Sequence, residues 1–215
     1  NNMKSLIPEI IVESAYELDI AHEVFNDTPM LIGPGWITSS YHEIYKQIPK
    51  YKRVVIDAAA ISFFDEDVVD SISDKFDIIP EYSIITPHVG EFKSFFQLDD
   101  IYYKEIQNIQ DIIGERIIIL KSFNTFIITK EMVYIMDRGP SLLATAGTGD
   151  VLSGILVSLL SQGYSRLEAS ILGTYLHAEA ANYYMNNISK DGMNASDLID
   201  CIPHAFNELR KNSEL

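Results

Sequence analysis

Short apolar runs alternate with longer amphipathic segments along most of the chain. Five of the short runs are rich in Ile and Val at successive positions, as expected for strands that helices cover on both faces. They occupy positions 9–13, 30–33, 53–57, 82–86 and 116–121. Two further runs, at 125–130 and 132–137, lie so close together that we predict an antiparallel hairpin turning near Lys130 and Glu131. The pattern predicts an α/β fold whose sheet is mostly parallel with an antiparallel hairpin at its edge.

Helical patterns dominate the last third of the chain. Apolar residues that recur with helical spacing predict a helix ending near Gly163; they are Val151, Leu152, Ile155, Leu156, Leu159 and Leu160. Ser165 and Glu168 have the spacing of a capping box, which predicts a second helix. We expect Ser196 to cap the last helical region and Pro203 to kink or restart it.

Composition and charge place the chain among acidic globular proteins. With 215 residues and 47% hydrophobic content it is long enough for a sizeable core, and we expect residues 1–215 to form a single domain. A net charge of −15 argues against binding to nucleic acid or to an anionic membrane through bulk charge. Cys201 is the only cysteine, and no apolar run approaches the roughly 18 residues of a membrane span. We therefore expect a cytoplasmic protein.

The segment LLATAGTGDVLSGILVSLLSQG, at positions 142–163, joins a loop of small residues to the first predicted helix. Asp150 lies at or just inside the helix N-terminus, and Gly147 and Gly149 allow the preceding backbone to turn tightly. Exposed N–H groups and the positive end of the helix dipole favour anions there. A simple N-terminal cap is the alternative, but two glycines and two threonines exceed what a cap requires. We favour a phosphate-binding loop whose carboxylate removes a hydroxyl proton.

Polar residues and glycines also follow four of the predicted strands. His88 and Glu91 follow the run at 82–86, where open α/β sheets bind ligands, and they suit a substrate contact and a water-mediated magnesium ion, respectively. A turn with a glutamate at a helix start is an equally good interpretation of these two residues. The other strand ends carry the Gly-Pro-Gly turn at 33–35, the carboxylate of Asp57, and Lys121 followed by Ser122, Asn124 and Thr125, which can hydrogen-bond a nucleotide.

The motifs TPHVGEF, KSFNT, ATAGTGDVLSG, YLHAEAA and NASDLIDCIP occur in an order that resembles the NAD(P)H-hydrate dehydratases. GTGD before an apolar helix is shared with many ribokinase-like kinases, whereas its combination with TPHVGEF and ASDL is more particular to the dehydratases. The resemblance covers Met30 to about Leu209, which is nearly the whole chain. It implies a three-layer α/β/α ribokinase-like fold and a repair enzyme that uses ADP or ATP with magnesium.

The resemblance also implies roles for residues at matching positions. Asp150 would take the proton from the C6 hydroxyl of the hydrated nicotinamide nucleotide, and the alkoxide would attack the terminal phosphoryl group. Loss of phosphate would then regenerate NADH or NADPH. Gly35, His88 and Asp150 would contact the hydrated dinucleotide, and Glu91 would belong to the magnesium–water network. The nucleotide would be bordered by Lys121, Ser122, Phe123, Asn124, Thr125, Gly147 and Gly149.

The chain departs from the pattern of the family at several positions. Ser122 replaces the glycine of the usual Lys-Gly turn, and Trp36 and Ile37 stand where the family tends to have leucine and glycine. The turn at 57–59 lacks a second carboxylate. The first glycine-rich strand–helix region of the family has no counterpart in this sequence, so we expect a fold that is incomplete at its N-terminus.

Two other functions are compatible with the same residues. A small-molecule kinase of this fold, of the hydroxymethylpyrimidine or hydroxyethylthiazole type, would also use Asp150 as its base. A non-catalytic nucleotide-binding module would bind the nucleotide without turnover. The resemblance further implies a homo-oligomer and, as a partner, an epimerase domain or chain. His177, in the middle of a predicted helix, is expected to be a buried structural histidine rather than a ligand.

Overall fold

The computed structural model describes residues 27–36, 52–66 and 71–213, and the strand predicted at 9–13 lies outside them. The described residues contain a six-stranded sheet, made of β1 (Met30–Ile32), β2 (Val54–Ile56), β3 (Ile84–Ile85), β4 (Ile117–Leu120), β5 (Thr125–Ile128) and β6 (Val133–Met136). Its strands lie side by side in the order of the sequence. The first four are parallel, and β5 and β6 form the antiparallel edge. For the strands that lie within the described residues, the predicted sheet and its hairpin are confirmed.

One face of the sheet is covered by α1 (Ala59–Glu66), α2 (Ile72–Ile78), α3 (Val89–Phe95) and α4 (Tyr103–Ile112). Four phenylalanines from α1, α2 and α3 are buried against Ile56, Ile85 and Ile118 of the central strands; they are Phe63, Phe76, Phe92 and Phe95. The rings of Phe76 and Phe95 lie 5.9 Å apart at a tilted angle, which is a favourable aromatic geometry.

The opposite face is covered by α5 (Thr148–Ser161), α6 (Arg166–Asn187) and α7 (Ala195–Ser213). Because side chains alternate along a strand, Val55, Ile84 and Ile119 point to this second layer and pack against Leu152, Leu156 and Leu176. The sheet is therefore buried on both sides, as its continuous Ile and Val runs predict. Among the described residues, no helix has the combination of length and apolarity that crossing a bilayer requires.

The helix ends in this second layer agree with the sequence in part. Ser165 and Glu168 form the predicted capping box at the start of α6. The prediction that Ser196 caps α7 is wrong, because the side chain of Asn194 accepts hydrogen bonds from the backbone N–H groups of Ser196 and Asp197. The prediction of a restart at Pro203 is also wrong, since α7 continues through that exposed residue.

Gly33 directly follows β1, and its backbone conformation is possible only because it has no side chain. Its φ is +111°, and a Cβ placed there would lie 1.7 Å from the carbonyl oxygen of Asp57. The backbone of β1 therefore approaches that of the neighbouring strand end more closely than any other residue allows.

We predict that Gly33→Ala lowers the free energy of unfolding by about 3 kcal/mol or more, because it combines a strained φ with a clash against backbone. Urea unfolding measures the loss. Gly163→Ala is the matched control, because Gly163 has a φ of +93° but open space around it. That variant should lose only about 1–2 kcal/mol. Equal losses in the two variants would show that the contact with Asp57 does not matter.

Candidate functional site

Four parallel strands deliver their next residues to one edge of the sheet. Gly33, Asp57, Thr86 and Lys121 each follow directly after β1, β2, β3 and β4. Backbone hydrogen bonds continue the sheet at this edge: the N–H of Asp57 donates to the carbonyl of Ile32, and the N–H of Thr86 to that of Ile56. These are the carboxyl ends of the strands, where open α/β sheets bind their ligands.

A buried ion pair lies at the centre of this edge. Lys121 Nζ is 2.8 Å from Asp57 Oδ1, and Asp57 is only 1% exposed. The second oxygen, Oδ2, accepts a hydrogen bond of 2.6 Å from the hydroxyl of Ser153 on α5. The hydroxyl of Thr86 is 3.5 Å from that of Ser153 and 3.3 Å from the carbonyl oxygen of Ile56. The site therefore joins β2, β3, β4 and α5 through polar side chains.

The first turn of α5 lies directly over this ion pair. Gly147 precedes the helix with a φ of +87° and gives it no side-chain cap. A Cβ at Gly149 would be 3.2 Å from Lys121 Nζ, so the lysine amine lies against the first turn. The first N–H groups of a helix have no carbonyl partner within it, and here they lie beside a cation. This is a geometry suited to an anion.

Asp150 is the third residue of α5, just inside the helix N-terminus as predicted, and it is exposed. The alternative of a simple cap is wrong, because Gly147 occupies the cap position. Asp150 borders a cavity of about 570 Å³ that opens between α5 and α7 and is lined by Gly147, Ile155 and Ile199 among others. Its carboxylate is thus available to a ligand rather than used inside the fold.

The threonines of the loop before α5 hold the loop together. Thr148 is buried, and its hydroxyl lies 2.7 Å from the carbonyl oxygens of both Leu143 and Thr145. The hydroxyl of Thr145 donates to the carbonyl of Leu142 at 2.9 Å. These side chains stabilise the loop. The N–H of Thr148 donates to the carbonyl of Thr145, which leaves the N–H groups of Gly149 and Asp150 available in the first turn.

His177 supports the same loop from α6. Its Nε2 is 2.8 Å from the carbonyl oxygen of Thr148, so Nε2 carries the hydrogen and donates it. Burial lowers the pKa of His177 from 6.5 to about 4, the bond to Thr148 opposes that change, and the positive charge of Lys121 adds to it. The expectation of a buried structural histidine is confirmed, and the ring is neutral at physiological pH.

His88 and Glu91 form a capping box at the start of α3. His88 Nδ1 accepts from the backbone N–H of Glu91 at 3.1 Å, and Glu91 Oε2 accepts from the backbone N–H of His88 at 2.8 Å. The interpretation as a helix start therefore describes the local structure. His88 is nevertheless exposed at the carboxyl edge of the sheet, and its backbone forms a bridge with Lys121.

The turn at 121–125 connects β4 to β5 beside the ion pair. The backbone N–H of Lys121 donates to the carbonyl of Pro87 at 2.8 Å, and the hydroxyl of Ser122 donates to the carbonyl of Asn124. Ser122 has no positive φ, so this turn does not need the glycine of the family pattern. Phe123 is 96% exposed, which leaves its ring available to a ligand.

The Gly-Pro-Gly turn is closed by a hydrogen bond from the N–H of Trp36 to the carbonyl of Gly33. Gly35 has a φ of +70° and open space around it, as expected for the third position of a type II turn. It is exposed and follows the strand next to Asp57. The residues predicted for the site therefore come from loops at the carboxyl edge of the sheet, from the adjoining ends of α3 and α5 and, for Thr125, from the first position of β5.

The sequence did not identify three features of the site. Ser153 reads as a small residue in an apolar helix, and Asp57 as a carboxylate at a strand end without a partner. Ala58, the next residue, has a φ of +49°, which is uncommon outside glycine and often marks a functional turn. Ser153 stands three residues before Leu156 and seven before Leu160, and this helical spacing is the signal that indicates a serine facing the sheet.

The described residues contain no group of three or more His, Cys, Asp or Glu side chains arranged to bind a metal ion. A single carboxylate such as Glu91 suits magnesium only through waters and through the phosphates of a bound nucleotide, which is a common way for proteins to bind this ion.

Comparison with known proteins agrees with this geometry. The family model described as NAD(P)H-hydrate dehydratase matches residues 1–204. The bifunctional NAD(P)H-hydrate repair enzyme Nnr of Dictyoglomus turgidum is 34% identical over 202 residues, which are 90% of this chain and 38% of that enzyme. The chain thus spans little more than a third of the length of this curated relative.

Two solved structures are similar in fold. A ribokinase-like superfamily protein of Enterococcus faecalis has a TM-score of 0.78 at 23% identity, over 96% of this chain and 72% of that one. The ADP/ATP-dependent NAD(P)H-hydrate dehydratase from Bacillus subtilis, co-crystallized with ATP/Mg²⁺ and soaked with CoA, has a TM-score of 0.71 at 20% identity, over 96% of this chain and 76% of that one. The predicted three-layer ribokinase-like fold is confirmed.

The lowered pKa of His177 predicts a specific dependence of stability on pH. Between about pH 6.5 and pH 4 the unfolded chain binds a proton at His177 that the folded chain does not, so stability falls as the pH falls through this range. We predict that wild type loses about 3 kcal/mol more than His177→Gln between these limits, since glutamine can still donate to Thr148 but does not titrate. Urea unfolding at several pH values measures the difference.

The control for this experiment is His204→Gln, which replaces an exposed histidine stacked on Tyr183. It should keep the pH dependence of wild type. If His177→Gln also keeps it, the buried ring does not control the acid sensitivity of the fold.

Proposed function

Because the chain belongs to the NAD(P)H-hydrate dehydratase family, we propose that it dehydrates hydrated NADH or NADPH at the expense of a nucleoside triphosphate or diphosphate. One observation carries this proposal. An exposed carboxylate, Asp150, stands in the first turn of a helix whose backbone lies against the amine of Lys121. A base, an anion seat and a cation thus meet at the carboxyl edge of the sheet.

In the proposed reaction Asp150 is the general base. It removes the proton of the C6 hydroxyl, and the oxygen forms a bond to the terminal phosphorus of the nucleotide while the bond to the bridging oxygen breaks. The lone pair of the ring nitrogen then expels phosphate from C6, and loss of a proton from C5 forms the C5=C6 double bond of the dihydropyridine. The sum is loss of water coupled to hydrolysis of the nucleotide. The exposure of Asp150 in the first turn of α5 supports this role.

The groups around the first turn of α5 stabilise the negative charge on the phosphoryl oxygens. The backbone N–H groups at Gly149 and Asp150 bind the phosphoryl oxygens, and Lys121 Nζ neutralises the charge that builds up on them. The turn from Ser122 to Thr125 borders the rest of the nucleotide. Gly147 admits the tight approach of the loop, since a Cβ there would already be 3.1 Å from Ala195 Cβ.

A magnesium ion bound with the nucleotide would shield the phosphate charges. Glu91, at the start of α3, is the side chain that would orient the waters of the ion. One of its carboxylate oxygens, Oε2, accepts a hydrogen bond from the backbone N–H of His88. Gly35 and His88 lie on the loops after β1 and β3, and we assign them to contacts with the hydrated dinucleotide. We further propose that the protein self-associates, acts in the cytoplasm and works alongside an epimerase activity.

The test is recovery of NADH absorbance from purified NADH hydrate in the presence of Mg²⁺ with ATP or with ADP. The proposal expects consumption of one nucleotide and release of one phosphate for each NADH formed. A small-molecule kinase would instead leave a stable phosphorylated product. A binding module would bind the nucleotide in calorimetry without producing NADH. Either outcome would contradict the proposal.

We predict that Asp150→Asn lowers kcat by about 10²–10⁴-fold, the usual contribution of a positioned general base. Its affinity for nucleotide should not weaken, because asparagine keeps the shape of the side chain and removes a negative charge next to the phosphates. Steady-state kinetics and calorimetry measure the two effects. Asp111→Asn is the control, because it makes the same change at an exposed aspartate on α4, and it should behave as wild type. Full activity in Asp150→Asn would mean that another group is the base.

A further inference from the structure

We infer that Asp57 and Ser153 are positioning residues that hold the amine of Lys121 against the first turn of α5, where it meets the phosphates of the nucleotide. The inference rests on the proposed function, because it assumes that this turn binds a nucleotide. It adds two residues that make no contact with the ligand themselves. Their effect on the ligand passes through Lys121 and through the helix.

Both carboxylate oxygens of Asp57 are engaged inside the fold. It is 1% exposed, its Oδ1 accepts from Lys121 Nζ at 2.8 Å, and its Oδ2 accepts from Ser153 Oγ at 2.6 Å. A carboxylate so far from solvent and with both oxygens bound is poorly placed to touch a substrate. A buried charge is retained in a protein when it is paired and hydrogen-bonded, and this one is.

Lys121 is the group whose position Asp57 restricts. Its side chain is 22% exposed, so it reaches from the buried carboxylate towards the surface of the site. Without the carboxylate, four rotatable bonds would let the ammonium group turn into water, where it is better solvated. The bond to Asp57 restricts it to the position beside Gly149, 3.2 Å from where a Cβ would stand.

Ser153 connects the same carboxylate to helix α5. Ser153 lies one turn after Gly149, and its hydroxyl is also 3.2 Å from the carbonyl oxygen of Gly149. The serine is buried and its contact with Asp57 spans two layers of the fold. It therefore fixes the helix that carries Asp150 relative to the strand end that carries Asp57. One carboxylate sets the position of both the cation and the helix.

The experiment measures the affinity of the whole chain for MgATP and for MgADP by calorimetry, at a temperature where each variant is folded by circular dichroism. Asp57→Asn keeps the shape but removes the charge, and we expect dissociation constants to rise about tenfold, as for the loss of one charge-assisted bond. Ser153→Ala, which is the milder change, should raise them by a smaller factor. Lys121→Met should raise them by at least as much as Asp57→Asn.

The double variant Asp57→Asn with Lys121→Met separates positioning from general damage. If Asp57 acts through the lysine, the double variant binds no more weakly than Lys121→Met alone. If Asp57 merely stabilises the fold, or contacts the nucleotide by itself, the two losses multiply, as they do for independent sites. Multiplied losses, or an unchanged affinity in Asp57→Asn, would overturn the inference.

The chain offers matched controls for both substitutions. Ser161→Ala removes a serine on the same helix whose hydroxyl also bonds one turn back, to Val157, but which is exposed. Asp27→Asn breaks an exposed ion pair of 2.9 Å with Lys52. Both controls should bind nucleotide as wild type does.

The outcomes separate this inference from the proposed function. Nucleotide binding with the expected coupling but without production of NADH would sink the dehydratase proposal alone. Production of NADH without the coupling would sink the positioning role alone. A wild-type chain that binds neither MgATP nor MgADP would overturn both.

Discussion

Asp57 is a negative charge that is almost completely removed from water, and the arrangement of the candidate site depends on how that charge is satisfied. Burying a carboxylate is costly in free energy unless the charge is paired and hydrogen-bonded, so its partners must be held in a fixed geometry. The fold supplies Lys121 from the end of β4 and Ser153 from α5. Both partners are thereby brought to the same point at the carboxyl edge of the sheet. The buried carboxylate thus places one cation and one helix.

The loop before α5 is stabilised by side chains that bind its carbonyl groups, while Asp150, just after the loop, stays exposed. His177 and the hydroxyls of Thr145 and Thr148 donate hydrogen bonds to backbone carbonyls of the loop. None of these side chains uses the N–H groups of the first turn. Asp150 and the glycine backbone thus remain at the surface. This division explains how a loop of small residues can be rigid and still present its polar groups to a ligand.

The sequence predicts the architecture well because the signals are local. Continuous Ile and Val runs at 53–57 and 116–121 indicate a buried parallel sheet, and Ser165 with Glu168 indicates a helix start. The contacts within the site are harder to predict, because Asp57 and Ser153 are far apart in the chain and meet only when β2 and α5 pack. The cap of α7 was misassigned for a smaller reason: Asn194 and Ser196 are both good capping residues, and the choice between them depends on the approach of the preceding backbone. The roles of the individual site residues stay predictions.

The close approach of Gly147 to Ala195 has a consequence for how the protein can vary. The two residues belong to different segments, yet a methyl group added to the first would press on the methyl group of the second at 3.1 Å. Any enlargement at the start of α7 therefore pushes on the loop before α5 as directly as a change within that loop does. Substitutions at the start of the last helix, although distant along the chain, therefore act on the backbone of this loop, and the sizes of the two contacting residues constrain each other.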